Sequence, residues 1–234
     1  MIWLGIETTN TPLSVAVMQD NKVVAEIVQN VKQTHSVGAM PAIEEVLKRA
    51  GIESTQLDAI VVSEGPGSYT GVRIGVTLAK TLAWTLQKPL VGVSSLKALA
   101  ANGQLFNGVV CALFDARRSN VYAGVYKGQT LETVIEDLHD HIDGLLEKLA
   151  TLQENILFVG TDVVLHKEAI IEKLGERAVF APATFDLPRA SQLISIAQQM
   201  PLPEVSATHS FVPQYRRIAE AEANWIKEQK KEQQ

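Results

Sequence analysis

The residues most typical of phosphate binding form the run Gly65-Pro66-Gly67-Ser68-Tyr69-Thr70-Gly71. This run stands between a predicted buried strand, 58–63, and a predicted helix, 72–87. Free backbone N–H groups at the N-terminus of such a helix can bind a phosphate. The glycine spacing differs from the dinucleotide-binding pattern, however, and no Gly-Lys-Ser or Gly-Lys-Thr follows. The spacing alone therefore favours a tight turn that lets the helix pack closely on the sheet.

A second candidate for phosphate contact is the polar turn after the first predicted strand. Thr8, Thr9 and Asn10 stand where a sugar kinase or an actin-like ATPase holds phosphate and metal, and with Gly67 they are the candidate residual nucleotide-contacting residues. Such enzymes usually begin this turn with Asp, whereas this chain has Glu7 and lacks the glycine that lets a phosphate approach. We therefore predict a relic of such a turn rather than a working site.

Metal ligation and nucleophilic catalysis have little support in the residue pattern. His139 and His141 are two residues apart, so on a helix their imidazoles would point to different faces. The single cysteine, Cys111, falls within a predicted strand, which excludes an internal disulfide and a cysteine-based zinc site. No catalytic residue, metal site or cofactor is predicted.

Composition places the chain among globular proteins. Its 234 residues include 21 basic and 26 acidic side chains, for a net charge of −5, which excludes a strongly basic nucleic-acid binder but leaves room for a local basic patch. The longest apolar run is short, so no membrane span is predicted. The N-terminus shows no basic region and no cleavage site. We expect a soluble, cytoplasmic protein.

Strand and helix signals alternate along the chain and predict an α/β fold. Three apolar runs before residue 30 indicate antiparallel strands, and helices are predicted over 36–50 and 72–87. After Asn102-Gly103 the opening pattern repeats, with a strand, a polar turn led by Asp115 and another strand. The repeat predicts a duplicated domain, with a first lobe over 1–102 and a smaller second lobe over 103–234 that ends in a charged, fraying tail.

The two helices of the first lobe carry more apolar surface than one sheet can bury. Helix 72–87 is apolar around most of its circumference, and helix 36–50 has two apolar flanks. The surplus requires either a partner or the chain's own second lobe, and both alternatives remain open. The residues predicted to form this surface are Met40, Ile43, Leu47, Val76, Lys80 and Ala83.

Several motifs together resemble those of the TsaB (YeaZ) family, a bacterial branch of the Kae1/TsaD-related proteins in the actin-like ATPase superfamily. They are Gly5-Ile6-Glu7-Thr8-Thr9, the glycine-rich run continued to residue 75, and Asp115-Ala116-Arg117. The resemblance implies an actin-like, ribonuclease H-like duplicated fold with two lobes, the second one reduced.

The resemblance also implies a role in forming N6-threonylcarbamoyladenosine next to the anticodon of tRNA. The related transferase TsaD binds a metal through a His-x-x-x-His pair, and the corresponding positions here are Ser95 and Leu99, of which Leu99 has no lone pair to offer. The chain is therefore expected to be a non-catalytic subunit that binds and activates TsaD through the apolar helix surface, with the ATPase TsaE as third component. Contact with tRNA is expected to be indirect or weak, and the chain alone is expected to form a homodimer.

Two other classes remain as alternatives. A small-molecule kinase or ATPase of the same superfamily would need phosphate-contacting turns at 8–10 and 115–120, and a carboxylate that holds a metal. A metallopeptidase, an activity once ascribed to relatives, would need the missing histidine pair and ranks last.

Overall fold

The computed structural model describes residues 1–31 and 34–215, so the predicted tail helix over 219–234 lies outside the described residues. Two five-stranded sheets form the centre of the described chain. The strands of the first sheet are β1 (Ile2–Glu7), β2 (Leu13–Gln19), β3 (Lys22–Gln29), β4 (Ala59–Gly65) and β5 (Leu90–Ser94), in the order β3-β2-β1-β4-β5. β1, β2 and β3 pair antiparallel, whereas β4 and β5 run parallel to β1.

The second sheet repeats this topology. Its strands are β6 (Val109–Asp115), β7 (Asn120–Lys127), β8 (Thr133–His141), β9 (Ile156–Val159) and β10 (Ala178–Phe180), in the order β8-β7-β6-β9-β10. The directions repeat as well, with an antiparallel β6-β7-β8 meander and parallel β9 and β10. The duplicated two-lobe α/β fold is thereby confirmed. The second sheet is the smaller one, since β9 and β10 have only four and three residues.

Helices cover both faces of each sheet. They are α1 (His35–Ala50), α2 (Tyr69–Leu86), α3 (Ser95–Ala100), α4 (Ile142–Ala150), α5 (Lys167–Leu174) and α6 (Ala190–Ala197). α1 and α2 share one core with the outer face of the first sheet. α4 and α5 share another with the second sheet, and α3 and α6 lie in the core between the two sheets.

α1 continues through Pro41 without a break. Proline cannot donate to the carbonyl four residues earlier, which belongs to Val37. Val37 is exposed, so water can satisfy that carbonyl. The helix ends at Gly51, whose φ of 65° is the left-handed conformation predicted for a terminating glycine.

The chain returns to the first sheet after it has built the second. The N-terminus of α6 is held there by β2 and β3, because the N–H of Ala190 donates to Ser14 Oγ (2.9 Å) and the N–H of Ser191 donates to Glu26 Oε1 (3.0 Å). The predicted lobe boundary at residue 102 therefore falls in the segment that joins the two sheets, between β5 and β6. Part of the predicted second lobe, 103–234, nevertheless packs on the first sheet. None of the helices among the described residues is long and apolar enough to cross a bilayer.

Candidate functional site

The carboxylate of Glu7, at the end of β1, is buried beneath the turn that follows it. Its Oε1 accepts hydrogen bonds from the N–H and the Oγ1 of Thr9, at 2.7 and 2.5 Å. Burial raises the pKa of Glu7, and the bonds from Thr9 oppose that rise only in part. The hydroxyl of Thr8 donates to the carbonyl of Gly71 (2.8 Å). Both threonines are thus buried and engaged with protein groups.

The glycine-rich loop lies directly against this turn. The N–H of Ser68 donates to the carbonyl of Thr9 at 2.6 Å. A Cβ added to Gly67 would come well within 3.0 Å of the Thr9 carbonyl oxygen, and one added to Gly71 would come equally close to the Thr8 carbonyl oxygen. Only glycine allows this approach of two backbones. The glycines therefore pack the start of α2 onto the β1–β2 turn.

Two N–H groups in the first turn of α2, those of Gly71 and Val72, already have an acceptor within the chain. Ser68 is the N-cap residue, and its Oγ accepts from the N–H of Gly71 (3.4 Å) while its carbonyl accepts from Val72 (2.9 Å). The N–H of Ser68 itself is bonded to the β1–β2 turn. A phosphate at a helix N-terminus requires such donors to be available. The geometry around Gly67 thus favours packing over phosphate binding.

Asn10 links the two lobes. Its Nδ2 donates to Asp162 Oδ2 (3.3 Å), which also accepts from the N–H of Asp115 (2.9 Å) in the corresponding turn of the second lobe. Its carbonyl lies 2.7 Å from Nε2 of His35. The duplicated polar turns therefore meet through a shared carboxylate, that of Asp162.

The positions predicted to correspond to a metal-binding histidine pair are part of the core. Ser95 and Leu99 are both fully buried, and the hydroxyl of Ser95 donates to the carbonyl of Pro66. Leu99 lies in the apolar cluster between the sheets. Within residues 1–31 and 34–215, no three His, Cys, Asp or Glu side chains are close enough to hold a metal ion together.

The residues predicted to form a free apolar surface separate into two groups. Ile43, Val76 and Ala83 are buried in the core beneath α1 and α2, so the expectation that their side chains are free is wrong. Because α2 is apolar on nearly all sides, the sequence pattern could not show which flank turns toward the sheet. Met40 is 36% exposed and Leu47 is half-buried, so these two do reach the surface.

Lys80, the sixth residue of that set, is covered by a late segment of the same chain. We name residues 205–215 the strap, because they run along one flank of α2. The Nζ of Lys80 donates to the strap carbonyls of His209 (3.1 Å) and Phe211 (2.7 Å). The ring of Trp84 lies 4.0 Å from the ring of His209. The chain thus covers this flank of α2 itself.

The sequence pattern missed a surface cluster where the strap meets the start of α2. The rings of Tyr69 and Tyr215 lie 5.3 Å apart, and Arg73 Nε donates to the Tyr215 hydroxyl at 3.0 Å. The guanidinium of Arg73 is also 4.2 Å from the centre of the Tyr69 ring. Tyr69 and Arg73 are one helical turn apart, but Tyr215 is 142 residues from Arg73, and no local pattern joins them.

Two lobes with the same sheet order, and polar turns that face each other across them, define a protein of the actin-like ATPase fold class. A family model described as "TsaD: tRNA N6-adenosine threonylcarbamoyltransferase" matches residues 22–225. The "tRNA threonylcarbamoyladenosine biosynthesis protein TsaB" of Bacillus subtilis (strain 168) is 44% identical over 232 residues, which are 98% of this chain and 100% of that protein. The chain belongs to the TsaB (YeaZ) family of tRNA threonylcarbamoyladenosine biosynthesis proteins.

More distant relatives agree with this assignment and confirm the resemblance. The TsaB of Escherichia coli (strain K12) is 30% identical over 84% of this chain and 86% of that protein. A crystal structure from Pseudomonas aeruginosa, described as similar to peptidase YEAZ, superposes with a TM-score of 0.75 at 26% identity and covers 92% of this chain and 99% of that one. A transferase of the TsaD type from Dictyoglomus turgidum is 30% identical over 62% of this chain and 52% of that protein.

Proposed function

We propose that this chain is a non-catalytic subunit in the formation of N6-threonylcarbamoyladenosine next to the anticodon of tRNA. It binds and activates a TsaD-type transferase, with the ATPase TsaE as third component. The observation that carries this proposal is that side chains unable to bind a metal occupy both positions of the expected histidine pair. A serine whose hydroxyl is bonded to a backbone carbonyl and a core leucine, Ser95 and Leu99, cannot take the place of two imidazoles. The residues do not fit the metal, so the transfer chemistry belongs to the partner.

The closed phosphate turns support the same proposal. Thr8, Thr9 and Gly67 contact protein groups, and Asn10 shares Asp162 with the second lobe. A small-molecule kinase or ATPase would need these groups for its nucleotide. Isothermal titration of the chain alone with Mg-ATP separates the two functions. Micromolar binding with turnover would favour the enzyme, and we expect neither.

The surface that remains for the transferase lies on the side of α1 and α2 turned away from the strap. On α1 it includes Val37, which is 64% exposed, together with Met40 and Leu47. On α2 it includes the half-buried Ile74 and Leu78, one helical turn apart. Apolar side chains at this spacing on two neighbouring helices are suited to pack against two helices of a related protein. In the absence of the transferase, the same surface pairs two copies of this chain.

The test combines activity with association. Threonylcarbamoylation of a tRNA transcript is reconstituted with TsaD, TsaE and the adenylate-forming components, with and without this chain and with TsaD in excess. We expect modification only when the chain is present. Met40→Asp should abolish co-purification with TsaD and the stimulation of modification, because a carboxylate would be buried at the interface.

A matched control is Leu105→Asp, which places the same charge on a 98% exposed leucine away from α1 and α2. This variant should pair with TsaD and support modification as the wild-type chain does. Normal pairing by a folded Met40→Asp variant would contradict the assigned surface. Full modification by TsaD and TsaE without the chain would contradict the proposed function itself.

A further inference from the structure

Two packed segments, α2 and the strap, differ in charge from the rest of the chain. The net charge is −5 and the sequence holds 26 acidic residues, yet the 18 residues of α2 and the 11 residues of the strap include no Asp or Glu. The charged residues of these two segments are Arg73 and Lys80. Carboxylates are thus absent from one helix and from the segment packed on it, although the chain as a whole is acidic.

These two segments also present aromatic rings to solvent. Tyr69 is 56% exposed, Tyr215 is 46% exposed and Trp84 is 46% exposed. The Arg73 guanidinium stacks on the Tyr69 ring and binds the Tyr215 hydroxyl, so the three side chains form one exposed unit, here named the Tyr69–Arg73–Tyr215 cluster. Partly exposed rings beside a guanidinium offer flat surfaces on which a planar group can stack.

The strap is attached firmly enough to hold this cluster in place. Lys80 binds two strap carbonyls, and the N–H of Gln214 donates to the carbonyl of Glu64 at the end of β4 (2.7 Å). Phe211 packs against the core beneath α2. The residue next to Tyr215 is therefore hydrogen-bonded to the first sheet. A site that is formed before binding avoids part of the entropy cost of ordering side chains.

We propose that the Tyr69–Arg73–Tyr215 cluster is a stacking site for unpaired bases of the tRNA substrate. The inference rests on the proposed function, because that function brings an RNA to the complex. Proteins recognise single-stranded RNA by stacking bases on aromatic rings and arginine planes beside a positively charged path for the phosphates. α2 and the strap supply rings and cations and contain no carboxylate of their own, which matches that chemistry, and Glu204, which accepts from the Ser206 hydroxyl, lies beside the opposite end of the strap from Tyr215. The cluster complements the anticodon loop in charge, and it lies on the flank of α2 opposite to the proposed transferase surface.

The test measures binding of a fluorescent anticodon stem-loop transcript by anisotropy, with the full chain alone and with its TsaD complex. The double variant Tyr69→Ala/Tyr215→Ala should weaken binding by about 5- to 150-fold, the effect of one lost base stack. The variant Tyr69→Phe/Tyr215→Phe keeps both rings and should bind closer to wild type. Phe185→Ala removes a 45% exposed aromatic ring outside these two segments and should not change binding. A fully paired duplex of the same length should bind weakly to every variant.

Three results would overturn the inference. The first is unchanged RNA affinity of the folded double alanine variant. The second is an equal loss for Phe185→Ala. The third is a double alanine variant that loses TsaD but keeps RNA binding, since the cluster would then be a protein interface. Met40→Asp separates the two proposals. It should lose TsaD yet keep the RNA affinity of the chain alone, so that failure at the cluster leaves the subunit assignment standing.

Discussion

Replacement of Gly71 by alanine tests whether the glycine-rich loop serves packing or phosphate binding. The new Cβ would lie well within 3.0 Å of the Thr8 carbonyl oxygen, a backbone atom that cannot rotate away. The turn cannot shift freely, because Thr8 donates to the Gly71 carbonyl and Ser68 donates to the Thr9 carbonyl. The substitution must therefore push α2 and the β1–β2 turn apart.

The expected change in the free energy of unfolding is the sum of two destabilising contributions and one stabilising contribution. Overpacking of a tight contact costs about 1–3 kcal/mol. A strained or broken buried hydrogen bond, such as the one from Thr8 to Gly71, adds about 1 kcal/mol. Alanine in place of glycine within a helix returns about 1 kcal/mol. We therefore expect Gly71→Ala to lower the free energy of unfolding by about 1–3 kcal/mol, with no nucleotide present.

Urea unfolding followed by far-ultraviolet circular dichroism measures this change as a lower midpoint at constant slope. Gly144→Ala is the matched control, because Gly144 also lies within a helix, and its new Cβ would meet only the carboxylate oxygens of Asp140 at 2.9 Å. Moving that carboxylate disturbs its hydrogen bonds from the N–H of His141 and from Lys148, at a cost of about 1 kcal/mol that the higher helix propensity of alanine offsets, so the control should be close to neutral. Equal stability of the two variants, or loss in Gly71→Ala of an Mg-ATP affinity that the wild type possesses, would refute the packing role.

Three further predictions concern buried groups and the strap. Because burial raises the pKa of Glu7, the folded chain keeps this proton after the unfolded chain has lost it. The free energy of unfolding should therefore fall as the pH rises above about 4.3, by up to about 1.4 kcal/mol per pH unit, until the folded pKa is reached. Glu7→Gln should flatten that slope in urea titrations across pH. Burial raises the pKa of Cys111 to about 12, so iodoacetamide at pH 8 should label it only in urea, and labelling of the native chain would contradict its burial. Lys80→Met should loosen the strap, measured as faster amide hydrogen exchange over 205–215, whereas Lys97→Met should not.

The order of elements and their duplication could be predicted because they depend on local patterns. Period-two and helical spacing mark strands and helices, and the Asp115 turn repeats the Glu7 turn. Element ends were less accurate. α2 begins at Tyr69 rather than near Val72, because the Ser68 side chain caps it, and the glycines that follow looked like a loop.

Contacts between distant segments could not be predicted from those patterns. The strap meets Lys80 across 129 residues, and α6 meets Ser14 across 176. Both segments are short, and the composition of neither indicates which part of the chain it packs against. The prediction for Val76 and Ala83 fails for a different reason: α2 is apolar on nearly all sides, so its pattern does not show that these two side chains face the first sheet.

Contacts of this kind also occupy the region between the polar turns of the two lobes with groups of the chain itself. In this chain the turns at the ends of β1 and β6 bind each other through Asp162, and the glycines before α2 admit a threonine backbone. These contacts contribute to the stability of the chain, so both proposals place recognition on the outside of the first lobe. The two flanks of α2 differ in chemistry. The flank away from the strap is apolar, which is the basis for the proposed transferase surface, and the flank along the strap combines rings with cations, which is the basis for the proposed RNA site.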